Sequence, residues 1–578
     1  MHSSDNLIPR LKELNEIGIA LSQQRDLNSL LETILIAAKR LTHADAGTLY
    51  LYQPEQQILR FEIVRNDTQK TAMGGTSGVA IRYEPVRLYD DAGNPNHAMV
   101  VSHAALTGET INIPDAYAAE GYDFSGTKRY DAKHGYRSHS FLTVPMRNHE
   151  NELIGVLQLI NAWDRSTSTI VPFSIDDQQL LESLASQAAI ALTNRRLVQQ
   201  LEELFEAFVQ LINTAIDDKS AYTGGHCDRV PELTMMLAEA VNRTKQGPLK
   251  DFAMTDKDRH ELKIAGLLHD CGKVTTPVHV VDKATKLQTL FDRIQLIDTR
   301  FEVLKRDAEI AMLRASLPPN PSDKTTSHST RWESQQVAGY PASGRGEYGG
   351  QGGDEMAIIQ SQYKARIKQL DEDREFLRHC NIGCESMPEA EQLRIREIAT
   401  SYQWCDIDSS LSNFLSDNEV ENLTIRSGTL TAAEREIINH HIVVTIKMLE
   451  SLPWPKHLKN VPEYAAGHHE RMDGKGYPRG LTGDQMSVQA KVMGIADIFE
   501  ALTAKDRPYK KGKTLTESLT ILGKFKLNGH IDPNLFDVFI REKVYLDYAE
   551  KFLPPEQIDE VDLSKIPGIT LDSFSQAN

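Results

Sequence analysis

Three things that would place this 578-residue chain at once are scarce or missing. Long apolar runs are absent: stretches such as Ala188–Leu192 fall far short of the roughly 20 residues a membrane span requires. Cysteine is scarce, five residues at irregular spacing, which makes no disulfide framework. His379, Cys380, Cys384 and Cys405 match zinc-finger spacing poorly, so scattered thiols are the better reading. An excess of positive charge is also missing, with 64 Lys and Arg against 81 Asp and Glu, a net charge of −17. That argues against long nucleic acid as the main partner, because a phosphate polymer needs a basic footprint. A small phosphodiester, held in one pocket by a few basic groups and metal ions, remains open. The opening Met1-His-Ser-Ser-Asp-Asn has neither a basic nor an apolar leader segment. The expectation is a cytoplasmic protein.

What is present is ordinary globular composition, 40% hydrophobic and 25% charged, in a chain too long for one core. From about 10 to 175, helical and strand patterns alternate. Asp26 stands as a cap before the apolar repeat Leu27–Leu41, and Ala46–Tyr52, Phe141–Met146 and Ile154–Ile160 read as strands, the last two joined by a turn over Asn148–Glu152. A helix follows from about Asp176 to Asp217. In it Leu197, Leu201, Leu204, Phe208 and Leu211 recur at steps of four, three, four and three, a heptad seam suited to a dimer-forming helix or to packing on the chain's own domains. Beyond Lys219 the patterns are helical. Residues 284–428 read as an insertion, with charged helices over about 285–316 and 354–378 flanking a Gly-, Ser-, Pro- and Thr-rich stretch expected to be a mobile loop over 318–354.

The chemistry lies in this helical half. Leu267-Leu-His-Asp-Cys-Gly-Lys273 sets His269 beside Asp270 at the end of an apolar helix. Adjacent helical residues diverge by about 100°, so the pair suits a carboxylate that bridges two cations, with further ligands from other helices. His441, the pair His468-His469, and Asp497 follow, and His226 lies upstream in Gly224-Gly-His-Cys-Asp-Arg-Val. Any one of these alone reads as a surface or satisfied core residue. Together they make a mixed nitrogen and oxygen donor set that favours iron, manganese or nickel over zinc.

With His269-Asp270, Gly272-Lys273, His468-His-Glu-Arg-Met-Asp-Gly-Lys-Gly-Tyr-Pro478, Asp497 and Asp506-Arg-Pro-Tyr-Lys510 on the page, the chain resembles the HD-GYP branch of the HD-domain phosphohydrolases over roughly 205–290 and 425–545. The resemblance implies hydrolysis of cyclic di-GMP to the linear dinucleotide, or onward to GMP. It implies a centre of two divalent transition-metal ions ligated by His269, Asp270, His441, His468, His469 and Asp497. Lys273 would contact the scissile phosphate, so Lys273 and Asp270 are the catalytic candidates. Arg507 and Lys510 would grip phosphate or guanine, and Tyr477 and Pro478 would shape the pocket. Another cyclic dinucleotide, a nucleotide ester, or a catalytically quiet receptor role stay open as alternatives. Asp497 to Arg507 is one residue longer than the usual family spacing, which bears on the guanine contacts.

Gly108-Glu-Thr-Ile-Asn-Ile-Pro-Asp-Ala-Tyr117, Gly135-Tyr-Arg-Ser-His-Ser-Phe-Leu-Thr-Val-Pro145 and Gly155-Val-Leu-Gln-Leu-Ile-Asn161 resemble a GAF domain of the cyclic-nucleotide-binding subgroup. Asn161, Phe173 and Asp176 match that subgroup's signature, and Ala162 replaces its Lys. A cyclic nucleotide or other small ligand is the implied partner, with a GAF used only for dimerisation as the alternative. The expected architecture is therefore multidomain: an α+β GAF sensor (15–178), a signalling helix (179–216), an all-α HD-GYP domain (217–552) carrying the insertion, and a tail (553–578), assembled as a homodimer.

Family members with three metals carry Glu four residues before the position of His226; here that residue is Tyr222, which supplies no bridging carboxylate. His226 is accordingly expected as a weaker ligand or a residue behind the ligands. Elemental analysis of the purified protein should return two metal ions per chain. A consistent value of three would contradict this reading.

Overall fold

The computed structural model describes residues 4–24, 26–164, 167–219, 225–316, 352–405, 410–504 and 512–569. The chain divides into two compact units, Met1–Glu206 and Ala207–Asn578. The expected mobile loop over 318–354 lies outside the described residues, except that Gly352 already opens a helix running to Asn381.

In the first unit, α1 (Ser4–Gln23) and α2 (Leu27–Thr42) precede β1 (Ala44–Gln53), β2 (Ile58–Asn66), β3 (Thr71–Gly74) and β4 (Val86–Arg87). Then come α3 (Val100–Thr107), β5 (Ile111–Ile113), α4 (Ser125–His134), β6 (Phe141–Arg147), β7 (Leu153–Asp164) and β8 (Thr169–Val171). Asp26 caps α2 as expected, accepting the Ser29 N–H at 2.7 Å. The strands form one antiparallel sheet in the order β3-β2-β1-β7-β6-β5, with β4 on β2 and β8 on β7. Alternation along each strand separates two faces. Leu49, Leu142, Val144, Leu157 and Leu159 meet Leu31, Leu35, Leu181 and Leu184 of helices. Tyr50, Leu59 and Val156 instead pack with Val101 and Ala105 of α3. Asn161, at φ 59°, is fully buried and spends its side chain on this fold. It accepts from the His139 and Ser140 amides at 2.7 and 3.3 Å and donates to Tyr136 Oη and the Arg137 carbonyl at 2.9 and 2.8 Å.

One helix of 45 residues, α5 (Ile175–Lys219), carries the chain across the unit boundary. The five seam residues on it are all exposed, from 49% at Leu197 to 65% at Leu201, whereas Val209, Asn213 and Ile216 are buried. Among the described residues, therefore, nothing buries the seam.

In the second unit α6 (His226–Arg243) and α7 (Asp256–Leu268) pack together with the helices Ala432–Glu450, Val461–Ala466 and Val488–Thr503. Thr255, Thr431 and Thr514 each close a capping box, which sets where three of the unit's helices begin. The turn after the HD pair lies directly on the helix Ala432–Glu450. Gly272 N–H donates to Thr445 Oγ1 at 2.9 Å, and a Cβ at Gly272 would sit 2.0 Å from the His441 carbonyl, so only glycine permits this approach.

The insertion has a core of its own, with Leu287, Ile297, Phe301, Leu377, Ile395 and Phe414 buried together. Its first helix begins at Ile294 rather than near 285. Residues before it are tied instead into a turn, in which Asp292 accepts from Thr285 Oγ1 at 2.8 Å and from Asn381 Nδ2 at 2.9 Å. Buried Lys286 joins the entry of the insertion to its exit by donating to the carbonyls of Leu423 and Ile425 at 3.1 and 2.8 Å. The stretch expected as a tail is anchored through residue 568: Gln557 donates to Thr503 O and Lys513 O, both at 2.9 Å, and Lys526 to Gly568 O at 2.8 Å.

Because Leu204 and Phe208 are more than half exposed, the double substitution Leu204→Glu with Phe208→Glu should change folding stability by no more than about 1 kcal/mol. Chemical denaturation at low protein concentration reads this directly. A much larger loss would mean the seam is packed within the chain.

Candidate metal centre

Five separate segments deliver the site. His226 is the first residue of α6, His269 closes α7, and Asp270 opens the 3-10 turn Cys271–Thr275 that bears Lys273. His441 sits inside the helix Ala432–Glu450, His468 and His469 follow the short helix Val461–Ala466, and Asp497 lies inside Val488–Thr503. Their side chains converge. Asp270 Oδ2 lies 3.2 Å from His226 Nε2 and 3.3 Å from His269 Nε2, while its Oδ1 lies 3.2 Å from His441 Nε2. His441 Nε2 is 3.3 Å from His469 Nε2, and Asp497 Oδ1 is 3.4 Å from His226 Nε2 and 3.9 Å from His269 Nε2. Two donor groups result, His226–His269–Asp270 and Asp270–His441–His468–His469, each with its ligand atoms within 4.8 Å of one another. Asp270 belongs to both.

The donor set fits cations. Nε2 of His226, His269 and His468 and Oδ1 of Asp270 are buried without a hydrogen-bond partner, an arrangement that is costly in an interior unless something accepts those lone pairs. Each ring is aimed by its other nitrogen. Nδ1–H of His269, His441 and His468 donates to the carbonyl three residues back, Gly266 at 2.7 Å, Ile438 at 2.5 Å and Ala465 at 2.6 Å. That leaves Nε2 as the free lone pair pointing inward. His226, at a helix start, has no such helical carbonyl. Its Nδ1 meets Glu500 Oε2 at 2.5 Å, and Glu500 is held in turn by Arg229 at 2.7 Å. His226 thus stands beside His269 in the cluster rather than behind it.

Electrostatics separates the groups. Burial holds His468 well below the ordinary imidazole range and His469 down to about 4, so both are neutral near pH 7. Burial alone would raise the Asp270 pKa, but Lys273 and the neighbouring imidazoles outweigh it and keep the carboxylate ionised. Burial likewise opposes charge on His226, yet Glu500, Asp270 and Asp497 raise its pKa well above ordinary. Occupancy by a cation would displace that proton. Lys273 Nζ donates to Asp270 Oδ2.

The wall beside the cluster is the loop after His469. Tyr477 stacks on the His469 ring at 4.7 Å and 24°, and Pro478 follows it. The loop doubles back so tightly that a Cβ on Gly476 would lie 2.5 Å from Arg471 N and Glu470 Cα. Glu470, buried, locks it by accepting the Arg479 and Leu481 amides at 2.7 and 2.9 Å. Arg507, Lys510 and Tyr222 lie outside the described residues. Glu500 and Arg229 were not singled out by sequence. The available signal was spacing: each lies three residues beyond a cluster member on the same helix, Asp497 and His226.

Replacing Glu500 by Gln removes the charged acceptor that orients His226. Metal affinity should fall by about 10- to 100-fold, measured by competition titration against a chelating dye. Wild-type affinity in that variant would deny Glu500 this role.

Comparison with known proteins is consistent with this division. Residues 26–192 match the GAF domain family, and residues 223–324 and 415–535 match two HD domain families. A Vibrio cholerae "Probable cyclic di-GMP phosphodiesterase" is 34% identical over 24% of this chain and 32% of its own length. A "3'3'-cGAMP-specific phosphodiesterase 1" from the same organism is 43% identical over 14% of this chain and 19% of its own. The chain thus spans about a third or less of these relatives. Among solved structures, the GAF domain of an Acinetobacter phosphoenolpyruvate-protein phosphotransferase is 17% identical over 33% of this chain and 97% of that one, with a TM-score of 0.25. The first HD match contains His226, His269, Asp270 and Lys273, and the second contains His441, His468, His469 and Asp497. The chain carries a GAF domain followed by an HD domain whose two matched parts are separated by residues 325–414.

Proposed function

We propose that the second unit is a metal-dependent HD-GYP phosphodiesterase that opens cyclic di-GMP to the linear dinucleotide pGpG, with GMP as an onward product. The observation that carries this reading is the position of Asp270, one carboxylate shared by two clusters of imidazoles with the Lys273 ammonium upon it. His226, His269, Asp270 and Asp497 would hold one divalent ion, and Asp270, His441, His468 and His469 the other. Iron, manganese or nickel suit such donors better than zinc. When bound, the two ions supply Lewis acidity toward a phosphodiester and toward water.

The remaining work belongs to the chain. Lys273 carries a fixed positive charge to the phosphate oxygens, where negative charge grows as the P–O bond opens. Its ion pair with Asp270 keeps that ammonium in place. Tyr477, stacked on His469, and Pro478 offer a flat wall to a base, and Arg507 and Lys510 would grip phosphate or guanine, Arg507 with the bidentate geometry that Lys lacks.

A second reading keeps the reaction and changes the substrate to another cyclic dinucleotide, favoured by the name of the second relative and by the longer step from Asp497 to Arg507. Upstream, the GAF domain would bind a cyclic nucleotide or another small ligand. Among the described residues no helix is long and apolar enough to cross a membrane, and a cytoplasmic setting is part of the proposal. The exposed seam of α5 would pair two copies. The Leu204→Glu, Phe208→Glu variant would then sediment as a monomer, and a variant as dimeric as wild type would remove the seam from the interface.

The deciding experiment incubates metal-reconstituted protein with a panel of cyclic dinucleotides and resolves products by chromatography. Cyclic di-GMP should yield pGpG, and Lys273→Met should lower kcat at least about a hundredfold. Absence of product from every member of the panel would overturn the enzymatic reading.

A further inference from the structure

The last turn of α5 touches the two chain segments that flank Asp270. Lys219 Nζ donates to the Lys273 carbonyl at 3.1 Å and to the Val274 carbonyl, the end of the 3-10 turn that bears Lys273. Two residues earlier, Asp217 Oδ2 accepts the Gly225 N–H at 3.2 Å. Gly225, at φ +82°, is the residue from which α6 and His226 start. Residues two apart on a helix point about 200° from each other, so one side chain reaches each segment. All of these contacts lie inside the second unit.

Both contacts fall on backbone groups at helix ends: the Lys273 carbonyl also accepts the Thr276 N–H at 3.0 Å, and Lys219 adds a cation to it and to the Val274 carbonyl. A helix leaves its last carbonyls and first amides unsatisfied, and a cation at the former or an anion at the latter is favourable. Lys219 supplies the cation for the 3-10 turn and Asp217 the anion for α6. The grips elsewhere in this unit differ in what they hold: Lys286 binds the carbonyls of Leu423 and Ile425, and Lys283 binds the side chains of Asn422 and of Glu434 at the start of the helix that carries His441. Lys219 and Asp217 hold the backbone of Lys273 and of the residue before His226. These are two groups that face the same carboxylate, Asp270, from opposite sides in sequence.

We infer that Lys219 and Asp217 are positioning residues, through which the end of α5 sets the placement of Lys273 and His226 against Asp270. The consequence for activity rests on the function proposed above. The mechanical part does not. A shift or fraying of the end of α5 releases the 3-10 turn, and with it the ammonium that must meet the phosphate. α5 is one continuous helix reaching back to Ile175, and its last turn, like Gln210, which donates to Asp228 of α6 at 3.5 Å, is a point where a change in that helix bears on the site.

The test uses the full chain as Lys219→Met, Lys219→Arg and Asp217→Ala. In metal-free protein, amide hydrogen exchange over Cys271–Thr275 should quicken in Lys219→Met and stay near wild type in Lys219→Arg, which keeps the cation. In metal-loaded protein, kcat of Lys219→Met should fall about tenfold, as expected for loss of a charged hydrogen bond of order 1.4 kcal/mol, with metal content and KM little changed. Asp217→Ala should instead weaken metal affinity through His226. Unchanged exchange in Lys219→Met overturns the inference, as does faster exchange with unchanged kcat, or an arginine variant as impaired as the methionine one. If wild type turns over no dinucleotide, the proposed function fails by itself. Exchange, together with the affinity of metal-loaded protein for inorganic phosphate, expected to be weaker in Lys219→Met, then decides the inference.

Discussion

The second unit is organised around one buried carboxylate. Asp270 is almost fully enclosed and stays ionised, with imidazoles at both oxygens and an ammonium on one of them. An isolated charge in such a place would be prohibitive, and even paired charges gain little unless their geometry is good. Everything nearby serves that geometry. Three helices end or begin at the cluster and two others pass it with a single residue each, so no one element could hold the site alone.

The surrounding fold keeps the ligands aimed by inexpensive means. Backbone carbonyls three residues back orient His269, His441 and His468, which requires only that each ring close or continue a helix. His226 begins a helix and has to borrow a carboxylate, Glu500, from the helix that also carries Asp497. Gly272 lets the HD turn lie on the helix that carries His441, which brings the two donor groups within reach of the same Asp270.

The insertion and the GAF unit are built on different principles from the metal centre. The insertion closes over an ordinary apolar core and is fastened at its base by two buried lysines whose ammonium groups are fully met by carbonyls, Asn422 and Glu434. In the GAF unit the polar groups of Asn161, which sequence alone connects with ligand binding, are all satisfied by backbone and Tyr136. That residue contributes to the fold whether or not a ligand is present.

Sequence by itself determined which chemistry is available and roughly where it lies along the chain. Imidazoles and carboxylates in the pattern His269-Asp270, His468-His469 and Asp497 are legible without coordinates because donor types and spacings are local properties. So were the Asp26 cap, the β6–β7 hairpin and the long helix, whose periodicity and turn residues are written within a few positions. Other features were decided only by tertiary structure. His226 joins His269, 43 positions on, because α6 and α7 pack together, a fact no window on the sequence contains. Glu500, Arg229, Lys219 and Asp217 acquire their parts from neighbours as far as 274 residues away. The start of the insertion's first helix moved to Ile294 because Asp292 found partners in Thr285 and in Asn381, 89 residues on. Local pattern names the donors; only the folded chain says which lone pairs face one another, because that depends on how helices distant in sequence pack.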